Sequence, residues 1–339
     1  MKSALITGIN GQDGAYLAAH LLKQGYRVVG AARRSAAHGD SRLVELGIEK
    51  EVEIKTIELT ESSNVTHLIK QLQPDEIYNL GAQSFVAESF ASPEYTANVD
   101  ALAVLRILEA IRAHCPETRF YQASTSEMFG KVQAIPQSET TPFYPRSPYG
   151  VAKLFGHWST VNHRESYGMH ATSGILFNHE SPLRGPEFVT RKITKTLASI
   201  RRGDATVLKL GNMDAKRDWG FAGDYVVGMW LMVQAQEAED FVLATGQTHT
   251  VREFVSAAAG VCEFDLEWSG IGPAEKAIDR KTGKIIVAVN PEFYRPAEVD
   301  LLIGDPSKAK AKLGWQATVT FKELSEMMMM ADLKRASKK

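Results

Sequence analysis

Two side chains that could exchange a proton with a substrate lie four residues apart in the middle of the chain. Tyr149 and Lys153 form the pattern Tyr-x-x-x-Lys, and Pro148 stands where the first turn of a helix would begin. Side chains at positions i and i+4 of a helix share a face, so we expect the phenol and the amine to lie side by side. Lowering the pKa of a tyrosine from about 10 by about 3 units takes roughly 4 kcal/mol of interaction. A nearby ammonium favours the phenolate, although this pattern alone is also typical of an exposed pair on a helix.

A glycine-rich turn follows the first apolar run of the chain. Gly8, Gly11 and Gly14 are spaced as Gly-x-x-Gly-x-x-Gly, after residues 4–6 and before a helical pattern. Glycine allows a tight turn and lets backbone N–H groups approach a pyrophosphate at the start of a helix. Such a turn can be no more than a turn, but its place at the start of a strand–helix–strand unit favours dinucleotide binding.

The end of the second apolar run indicates which dinucleotide binds. Proteins that bind NAD place an acid about 20 residues after the glycines, where it holds the ribose 2′-hydroxyl. Here the acid is missing, and Arg33 and Arg34 stand in its place. Because a guanidinium forms charge-assisted hydrogen bonds with a 2′-phosphate, the sequence predicts NADP rather than NAD. The alternative is a pair of solvated arginines on a loop.

Three hydroxyl residues, Ser124, Thr125 and Ser126, and the carboxylate of Glu127 follow the predicted strand at residues 119–123. Ligands of open α/β sheets bind beyond the carboxyl ends of the strands, so we expect Thr125, Ser126 and Glu127 beside Tyr149 in the active site. A dehydrogenase needs only a hydroxyl at this place. Glu127 therefore indicates acid–base chemistry beyond hydride transfer, unless it is a carboxylate that merely faces a helix N-terminus or solvent.

Strand patterns alternate with helical patterns through the first half of the chain. The predicted strands are residues 4–6, 27–31, 52–57, 76–80, 119–123 and 171–177. The predicted helices are residues 15–23, 62–72, 94–113 and 148–167. This alternation predicts an α/β fold of Rossmann type, with a doubly wound parallel sheet covered by helices on both faces. We expect a dinucleotide-binding domain over residues 1–180. A smaller substrate-binding α/β region is expected over residues 181–339, with some segments returning to the sheet.

Composition excludes several classes of protein. The chain has 339 residues with 39 Lys and Arg against 40 Asp and Glu, so no global field attracts nucleic acid or an anionic membrane. No apolar run approaches the roughly 20 residues of a membrane span, and we expect Met327 to Met330 in a terminal amphipathic helix. Cys115 and Cys262 form no metal-ligand cluster or disulfide pattern, which predicts a metal-free, cytoplasmic protein.

Several blocks recur in the same order in a known family. They are Thr7-Gly8, Gly11-Gln12-Asp13-Gly14, Arg33-Arg34-Ser35, Leu80-Gly81-Ala82-Gln83-Ser84, Ser124-Thr125-Ser126-Glu127, Tyr149-x-x-x-Lys153, Leu176-Phe177-Asn178-His179-Glu180-Ser181-Pro182, Phe188-Val189-Thr190-Arg191-Lys192, Arg217-Asp218-Trp219-Gly220 and Tyr294-Arg295-Pro296-x-Glu298-Val299. Over about residues 2–315 the chain resembles the GDP-mannose 4,6-dehydratases, which are extended short-chain dehydrogenases/reductases. The Asn-His-Glu-Ser-Pro and Thr-Ser-Glu blocks are the most specific to this family.

The resemblance implies a reaction and a set of roles. Tyr149 removes the proton of the mannosyl 4-hydroxyl, Thr125 holds that oxygen, and tightly bound NADP takes the hydride from C4. Glu127 then removes the C5 proton, the 6-hydroxyl leaves as water, and the hydride returns to C6. The product is GDP-4-keto-6-deoxymannose, at the first step of GDP-rhamnose or GDP-fucose type synthesis. Ser126 stands where glucose-type dehydratases carry an aspartate, so the acid that protonates the leaving hydroxyl stays open between Glu127 and a bound water.

The resemblance also implies binding residues and an assembly. The expected cofactor residues are Gly8, Asn10, Gly11, Gln12, Asp13, Arg33, Glu58, Leu59, Leu80, Ala82, Ser84, Tyr95, Tyr149, Lys153, His179 and Arg184. The expected substrate residues are Ser84, Asn178, Val189, Lys192, Arg217, Arg280, Arg295 and Glu298. Residues 181–220 hold nine Lys and Arg against four acids, an excess that suits a diphosphate, although many of these charges could be solvated. The family forms tetramers in which the loop at residues 35–42 reaches the cofactor site of a neighbour.

Other functions remain compatible with parts of this pattern. A nucleotide-sugar epimerase or 4-reductase would share the glycine turn and the Tyr-x-x-x-Lys pair, but neither needs a proton removed from C5 by Glu127. A non-catalytic NADP-sensing regulator would share the fold but could dispense with Tyr149 and Lys153.

Overall fold

A computed structural model describes residues 1–34, 41–293 and 301–337 of the chain. In its first half, strands alternate with helices. The strands are β1 (Ser3–Thr7), β2 (Arg27–Ala32), β3 (Glu53–Thr56), β4 (Glu76–Asn79), β5 (Arg119–Thr125), β6 (Ala171–Leu176), β7 (Asn178–Glu180), β8 (Leu208–Leu210), β9 (Lys216–Arg217), β10 (Trp219–Phe221), β11 (Asp240–Leu243), β12 (His249–Thr250), β13 (Leu266–Ser269), β14 (Lys276–Asp279), β15 (Ile285–Val289) and β16 (Leu301–Leu302).

Helices connect most of the strands of the first half. They are α1 (Gln12–Lys23), α2 (Ser41–Leu46), α3 (Ser62–Leu72), α4 (Val86–Ala91), α5 (Pro93–Ala97), α6 (Ala103–His114), α7 (Pro148–Tyr167), α8 (Val189–Arg202), α9 (Ala222–Gln234), α10 (Val251–Val261), α11 (Ser307–Leu313) and α12 (Phe321–Ser337). The helix predicted over residues 94–113 is interrupted, because a π-helical turn at Asn98–Leu102 separates α5 from α6. Met327 to Met330 lie in the terminal helix α12, as predicted, and this helix buries Met328 and Met329 and exposes Met330.

The main sheet has seven strands in the order β11-β6-β5-β4-β1-β2-β3, and every neighbouring pair is parallel. Successive residues of a strand point to opposite faces, so Ala4 and Ile6 pack in the core with α1 and α9, while Leu5 packs in the core with α3 and α6. The predicted α/β fold, with a doubly wound parallel sheet covered on both faces, is therefore confirmed.

The second half of the chain builds a smaller region and also rejoins the main sheet. In addition to the cores on the two faces of the main sheet, a third hydrophobic core lies in this region. It contains residues of α8, α10 and α12 and of a four-stranded sheet in the order β13-β14-β15-β8. β11 pairs in parallel with β6 at one edge of the main sheet, and α9 packs against α1. The division of the chain at residue 180 stays a prediction.

Candidate active site

The glycine turn brings three backbone segments into close contact. Gly8 has φ +69°, a left-handed conformation, and its N–H donates to the carbonyl oxygen of Ala31 at 3.1 Å. A Cβ atom at Gly14 would lie 2.5 Å from the carbonyl oxygen of Gly8 and 2.7 Å from Cα of Ile9. Helix α1 begins at Gln12. Gly11 occupies the N-cap position, where no side chain accepts a hydrogen bond from the first backbone N–H groups of the helix. The start of this helix therefore fits the pyrophosphate of a dinucleotide, because backbone N–H groups and the helix dipole both favour an anion there.

Replacing Gly14 with alanine should disrupt this turn. The added methyl group would overlap backbone atoms that cannot move independently, so we expect a loss of about 1–3 kcal/mol of stability and weaker dinucleotide binding. Thermal melts with and without NADP would measure both effects. Gly260→Ala is the matched control, because Gly260 lies in α10 with open space around its Cα and alanine stabilises helix interiors by up to about 1 kcal/mol. A Gly14→Ala protein that melts and binds NADP like the wild type would contradict the packing argument.

A part-buried ion pair joins the start of α1 to β7. Nε2 of His179 lies 2.8 Å from Oδ2 of Asp13, and Nδ1 of His179 donates to the carbonyl oxygen of Phe177 at 2.8 Å. Burial by itself would raise the pKa of Asp13 and lower that of His179. Their mutual attraction outweighs burial, so the pKa of Asp13 lies below its ordinary value and that of His179 above it. Gln12 adds a contact, since its Nε2 donates to the carbonyl oxygen of His179 at 3.1 Å.

The end of β5 and the start of α7 bring the predicted catalytic groups together. Pro148 stands in the first turn of α7, and Oγ of Ser147 caps the helix by accepting from the N–H of Gly150 at 3.0 Å. The N–H of Glu127 donates to Oγ1 of Thr125 at 3.2 Å, in a short 3₁₀ turn that follows the strand. The two segments meet there, and Thr125 is hydrogen-bonded to the phenol of Tyr149.

Tyr149 and Lys153 are both almost fully enclosed. Nζ of Lys153 donates to the carbonyl oxygen of Ala123 at 3.0 Å and lies 5.8 Å from the centroid of the Tyr149 ring. Burial, followed by the negative charge of Asp100, raises the pKa of Tyr149 well above its ordinary value, whereas the hydrogen bond from Thr125 lowers it. Burial lowers the pKa of Lys153, and Asp100 opposes that shift. The protein alone therefore does not favour the phenolate, because the desolvation of a buried phenolate outweighs the help that was expected from the ammonium.

These groups share one cleft with most of the predicted binding residues. Its volume is about 900 Å³. The predicted residues that line it are Gly8, Gly11, Gln12, Asp13, Leu80, Ala82, Ser84, Thr125, Ser126, Glu127, Tyr149, Lys153, Asn178, His179, Arg184, Val189, Lys192 and Arg217. Glu127 is half-buried in this wall, and its charge acts on Tyr149, so the carboxylate does not point away from the site.

A second group of predicted cofactor residues lies outside the lining of the cleft. Arg33 follows β2, and its Nη1 donates to the hydroxyl of Tyr95 at 2.7 Å. Glu58 and Leu59 follow β3. Asn10 also belongs to this group, and its carbonyl oxygen accepts a hydrogen bond from Nη1 of Arg42 at 2.7 Å. The ends of β2 and β3 are where a doubly wound fold places the adenosine half of a dinucleotide, so their position agrees with the predicted role.

One predicted substrate residue that the structure describes is not part of the lining of the cleft. Arg280 follows β14 at the end of a hairpin, where its side chain is 58% exposed and its Nε lies 3.4 Å from Oε2 of Glu267. Arg280 does not line the cleft, so the placement does not support a role for it in binding the substrate. Arg295 and Glu298 lie outside the described residues.

Some cleft residues were not among those expected to bind the cofactor or the substrate. Arg42 ends the loop at residues 35–42 that was expected to reach the cofactor site of a neighbour, and residues 35–40 of that loop lie outside the described residues. Arg42 lines the cleft of its own chain, where its Nε donates to the carbonyl oxygen of Leu183 at 2.6 Å. Glu180 lines it too, 3.1 Å from Nε of Arg184. Phe293 stands below Nζ of Lys192, which is 3.7 Å from the ring centroid. Only the excess of basic residues near 181–220 hinted at this charged wall.

Comparison with known proteins identifies the family. A family model described as GDP-mannose 4,6 dehydratase matches residues 5–328. This chain belongs to that family. A relative from Yersinia enterocolitica, named GDP-mannose 4,6-dehydratase, is 55% identical over an alignment of 353 positions that covers 99% of this chain and 95% of the relative. A dehydratase removes water from its substrate, so the family is one of hydro-lyases, and the resemblance inferred from the sequence motifs is confirmed.

Solved structures show the same fold at low identity. The structure of RMD from Pseudomonas aeruginosa with NADPH is 21% identical with a TM-score of 0.78, and the match covers 99% of this chain and 100% of that one. DesIV from Streptomyces venezuelae, a dTDP-glucose 4,6-dehydratase with NAD and TYD bound, is 17% identical with a TM-score of 0.82. The match covers 99% of this chain and 98% of DesIV. These proteins hold nicotinamide dinucleotides of both kinds, which agrees with the predicted class of cofactor but does not distinguish NADP from NAD.

Two further features bear on the predicted partners. None of the helices in the described ranges has the length and apolar character that crossing a membrane requires. Within the same ranges, no three histidine, cysteine, aspartate or glutamate side chains are grouped so that they could hold a metal ion.

Proposed function

We propose that this chain converts GDP-mannose to GDP-4-keto-6-deoxymannose. The observation that carries the proposal is the presence of Glu127 in the same wall of the cleft as Tyr149, Thr125 and Lys153. A phenol, a hydroxyl and an amine suffice for oxidising and reducing an alcohol. The additional carboxylate provides the acid–base group that the loss of water requires.

The first step is the oxidation of C4. Tyr149 takes the proton of the 4-hydroxyl, and Thr125, which already bonds to that phenol, holds the reacting oxygen. A bound nicotinamide dinucleotide supplies a hydride acceptor, and its positive ring supplies the attraction that the buried phenol needs to ionise. Lys153, whose Nζ lies 5.8 Å from the centroid of the Tyr149 ring, would add its positive charge to the stabilisation of the developing phenolate.

The second step is the elimination of water. A C5 proton is far too weakly acidic to be removed until C4 carries a ketone, which explains why oxidation comes first. Glu127 then takes that proton, and the 6-hydroxyl leaves as water with a proton from Glu127 or from a bound water. Ser126 lines the same wall, but a serine hydroxyl is too weak an acid to protonate a leaving group. The hydride taken from C4 would return to C6 while C5 gains a proton, so the reaction would consume no outside reductant.

The basic residues of the cleft suit the nucleotide diphosphate. Lys192 and Arg217 supply positive charge in its lining, which also contains Asn178 and Val189. Burial lowers the pKa of Lys192, as expected for an ammonium in a partly dry site. An anionic diphosphate would compensate that desolvated charge.

Incubating the purified protein with GDP-mannose and no added reductant tests the proposal. We expect a product lighter by one water, detected by mass spectrometry. An unchanged mass with altered stereochemistry would identify an epimerase, and a requirement for NADPH would identify a reductase. A protein that binds NADP but leaves GDP-mannose unchanged would be the non-catalytic regulator.

NADP is our proposed cofactor because of Arg33. Its hydrogen bond to Tyr95 holds a forked cation at the end of β2, where an NAD-binding protein would carry an acid. The same exposed arginine would attract the negative charge of a 2′-phosphate, whereas a 2′-hydroxyl has no charge to attract.

Replacing Arg33 with alanine should therefore reduce the preference for NADP. Loss of one charge-assisted contact of about 1.5–3 kcal/mol corresponds to about 10- to 100-fold weaker NADP binding, with NAD binding little changed. Tyr95→Phe keeps the ring but removes the partner of Arg33, so we expect a smaller loss. Arg27→Ala, at the opposite end of β2, is the control. Titration of the unloaded protein with both dinucleotides measures the ratio, and an unchanged ratio in Arg33→Ala would count against NADP recognition by this side chain.

We further propose that the chain forms a homo-oligomer, a tetramer, and works in the cytoplasm. Val151, Phe155 and Trp158 recur at helical spacing on α7 with exposures of 56%, 44% and 55%. Phe90 and Leu102, on elements that pack against α7, are exposed as well. Such an apolar face is typical of a protein interface. Light scattering of the wild type and of Trp158→Glu would test it, and a monomeric wild type would contradict it.

A further inference from the structure

A buried carboxyl group belongs to the turn that packs against the catalytic helix α7, and the proposed mechanism leaves this group without a role. The Asp100 side chain belongs to a residue that is 1% exposed. Its Oδ1 accepts from the N–H of Gln83 at 2.7 Å, and within the described ranges its Oδ2 has no hydrogen-bond partner. An ionised carboxyl group in such surroundings is costly unless an opposite charge compensates it.

The backbone places Asp100 close to the catalytic helix. The residue lies in the π-helical turn Asn98–Leu102 between α5 and α6. A Cβ atom at Gly156 of α7 would lie 3.2 Å from the carbonyl oxygen of Asp100, so the two backbones nearly touch there. Single π-helical turns within α-helices often occur at functional sites, because the extra residue changes the direction of the neighbouring side chains.

Among side-chain charges, that of Asp100 has the largest effect on both members of the catalytic pair. After burial, it is the first cause of the shifts in the pKa of Lys153 and of Tyr149. Burial in turn raises the pKa of Asp100 to about 6, against the attraction of Lys153. The other charged groups that act on the pair are weaker: Asp13 on Lys153, and Glu127 and Arg184 on Tyr149.

We propose that Asp100 is a positioning residue whose carboxylate is the counter-ion that keeps Lys153 an ammonium behind Tyr149. A buried lysine without an opposite charge tends to release its proton, and a neutral amine no longer stabilises a phenolate. The bond to Gln83 anchors the same carboxylate to the segment that carries Ala82 and Ser84 in the cleft wall. This inference rests on the proposed function, since it concerns the base of that reaction.

Asp100→Asn removes the charge but keeps the shape and an oxygen that can accept from Gln83. Loss of a neighbouring negative charge lowers the pKa of both Tyr149 and Lys153. We therefore expect both limbs of the pH profile of kcat to move to lower pH, by about 1 unit. The comparison is made above pH 7, where Asp100 with a pKa of about 6 is ionised in the wild type.

A second measurement needs no turnover. Ultraviolet difference titration of the NADP-loaded protein records phenolate formation, and subtracting the trace of the same protein with Tyr149→Phe isolates Tyr149. We expect its midpoint to fall by about 1 pH unit in Asp100→Asn. Because no substrate is involved, failure of the wild type to dehydrate GDP-mannose would be seen separately and would not be mistaken for a failure of this inference.

The control and a reverse variant complete the test. Glu109→Gln removes an exposed carboxylate on the neighbouring α6 and should leave both midpoints unchanged. Lys153→Met removes the ammonium group and leaves the carboxyl group of Asp100 in place. This variant therefore tests the same pair even if Asp100→Asn does not fold. Without its ammonium partner, Asp100 should keep its proton to higher pH by about 1 unit, as followed by carbon-13 resonances of labelled aspartate. Unchanged midpoints in Asp100→Asn, or an unchanged aspartate titration in Lys153→Met, would show that Asp100 only supports packing and would overturn the proposal.

Discussion

Glu127→Gln is expected to oxidise GDP-mannose at C4 but to lose water about 10²- to 10⁴-fold more slowly than the wild type. Glutamine keeps the size and the hydrogen-bonding shape of the side chain, so the sugar can still bind against Tyr149. It cannot accept the C5 proton, however, because an amide is not a base near neutral pH. The reduced nicotinamide should therefore accumulate in an enzyme-bound state, visible in its near-ultraviolet absorbance after rapid mixing with substrate.

The control for this variant is Glu165→Gln, which removes an exposed carboxylate near the other end of α7. It should dehydrate GDP-mannose at the wild-type rate. Normal water loss by Glu127→Gln would show that another group abstracts the C5 proton. Failure to form any reduced nicotinamide would show that Glu127 is already needed for binding or for the first oxidation.

Tyr149→Phe is expected to stop the reaction one step earlier, with a loss of about 10²- to 10⁴-fold in the rate of C4 oxidation. The phenyl ring fills the same buried space, so the fold and the position of Lys153 should be preserved. The proton of the 4-hydroxyl then has no acceptor, and the bond that Thr125 makes with the phenol is lost. Stopped-flow absorbance should show no reduced nicotinamide at times when Glu127→Gln already shows its full amplitude.

Tyr167→Phe is the matched control, since Tyr167 ends the same helix with a half-exposed side chain. It should behave as the wild type in the same assay. Reduced nicotinamide formed by Tyr149→Phe at the normal rate would exclude Tyr149 as the base. The two catalytic variants together separate oxidation from elimination, and this is the distinction between a dehydratase and a simple dehydrogenase.

Much of the candidate site was predicted because its signals are local. The spacing of Tyr149 and Lys153 along one helix, the glycines after the first strand, and the position of Glu127 at a strand end all depend on the periodicity of single elements. These elements and their order predicted the doubly wound sheet, and the carboxyl ends of its parallel strands predicted the edge where the groups would meet. The helix interruption at Asn98–Leu102 was missed, because helix propensity shows no break there.

Only the tertiary structure decided which distant residues share an environment. Asp13 and His179 form a part-buried pair across 166 residues, Asp100 lies against the helix of Lys153, and Arg280 lies outside the lining of the cleft. No spacing in the chain encodes these contacts, because they depend on how helices and sheets pack once the apolar faces are buried. The amino-acid sequence by itself determined which chemical groups the site holds and the order of the elements that carry them. Packing decided how strongly each charge is desolvated and what compensates it, which is why the pKa of Tyr149 could not be foreseen from its neighbours along the helix.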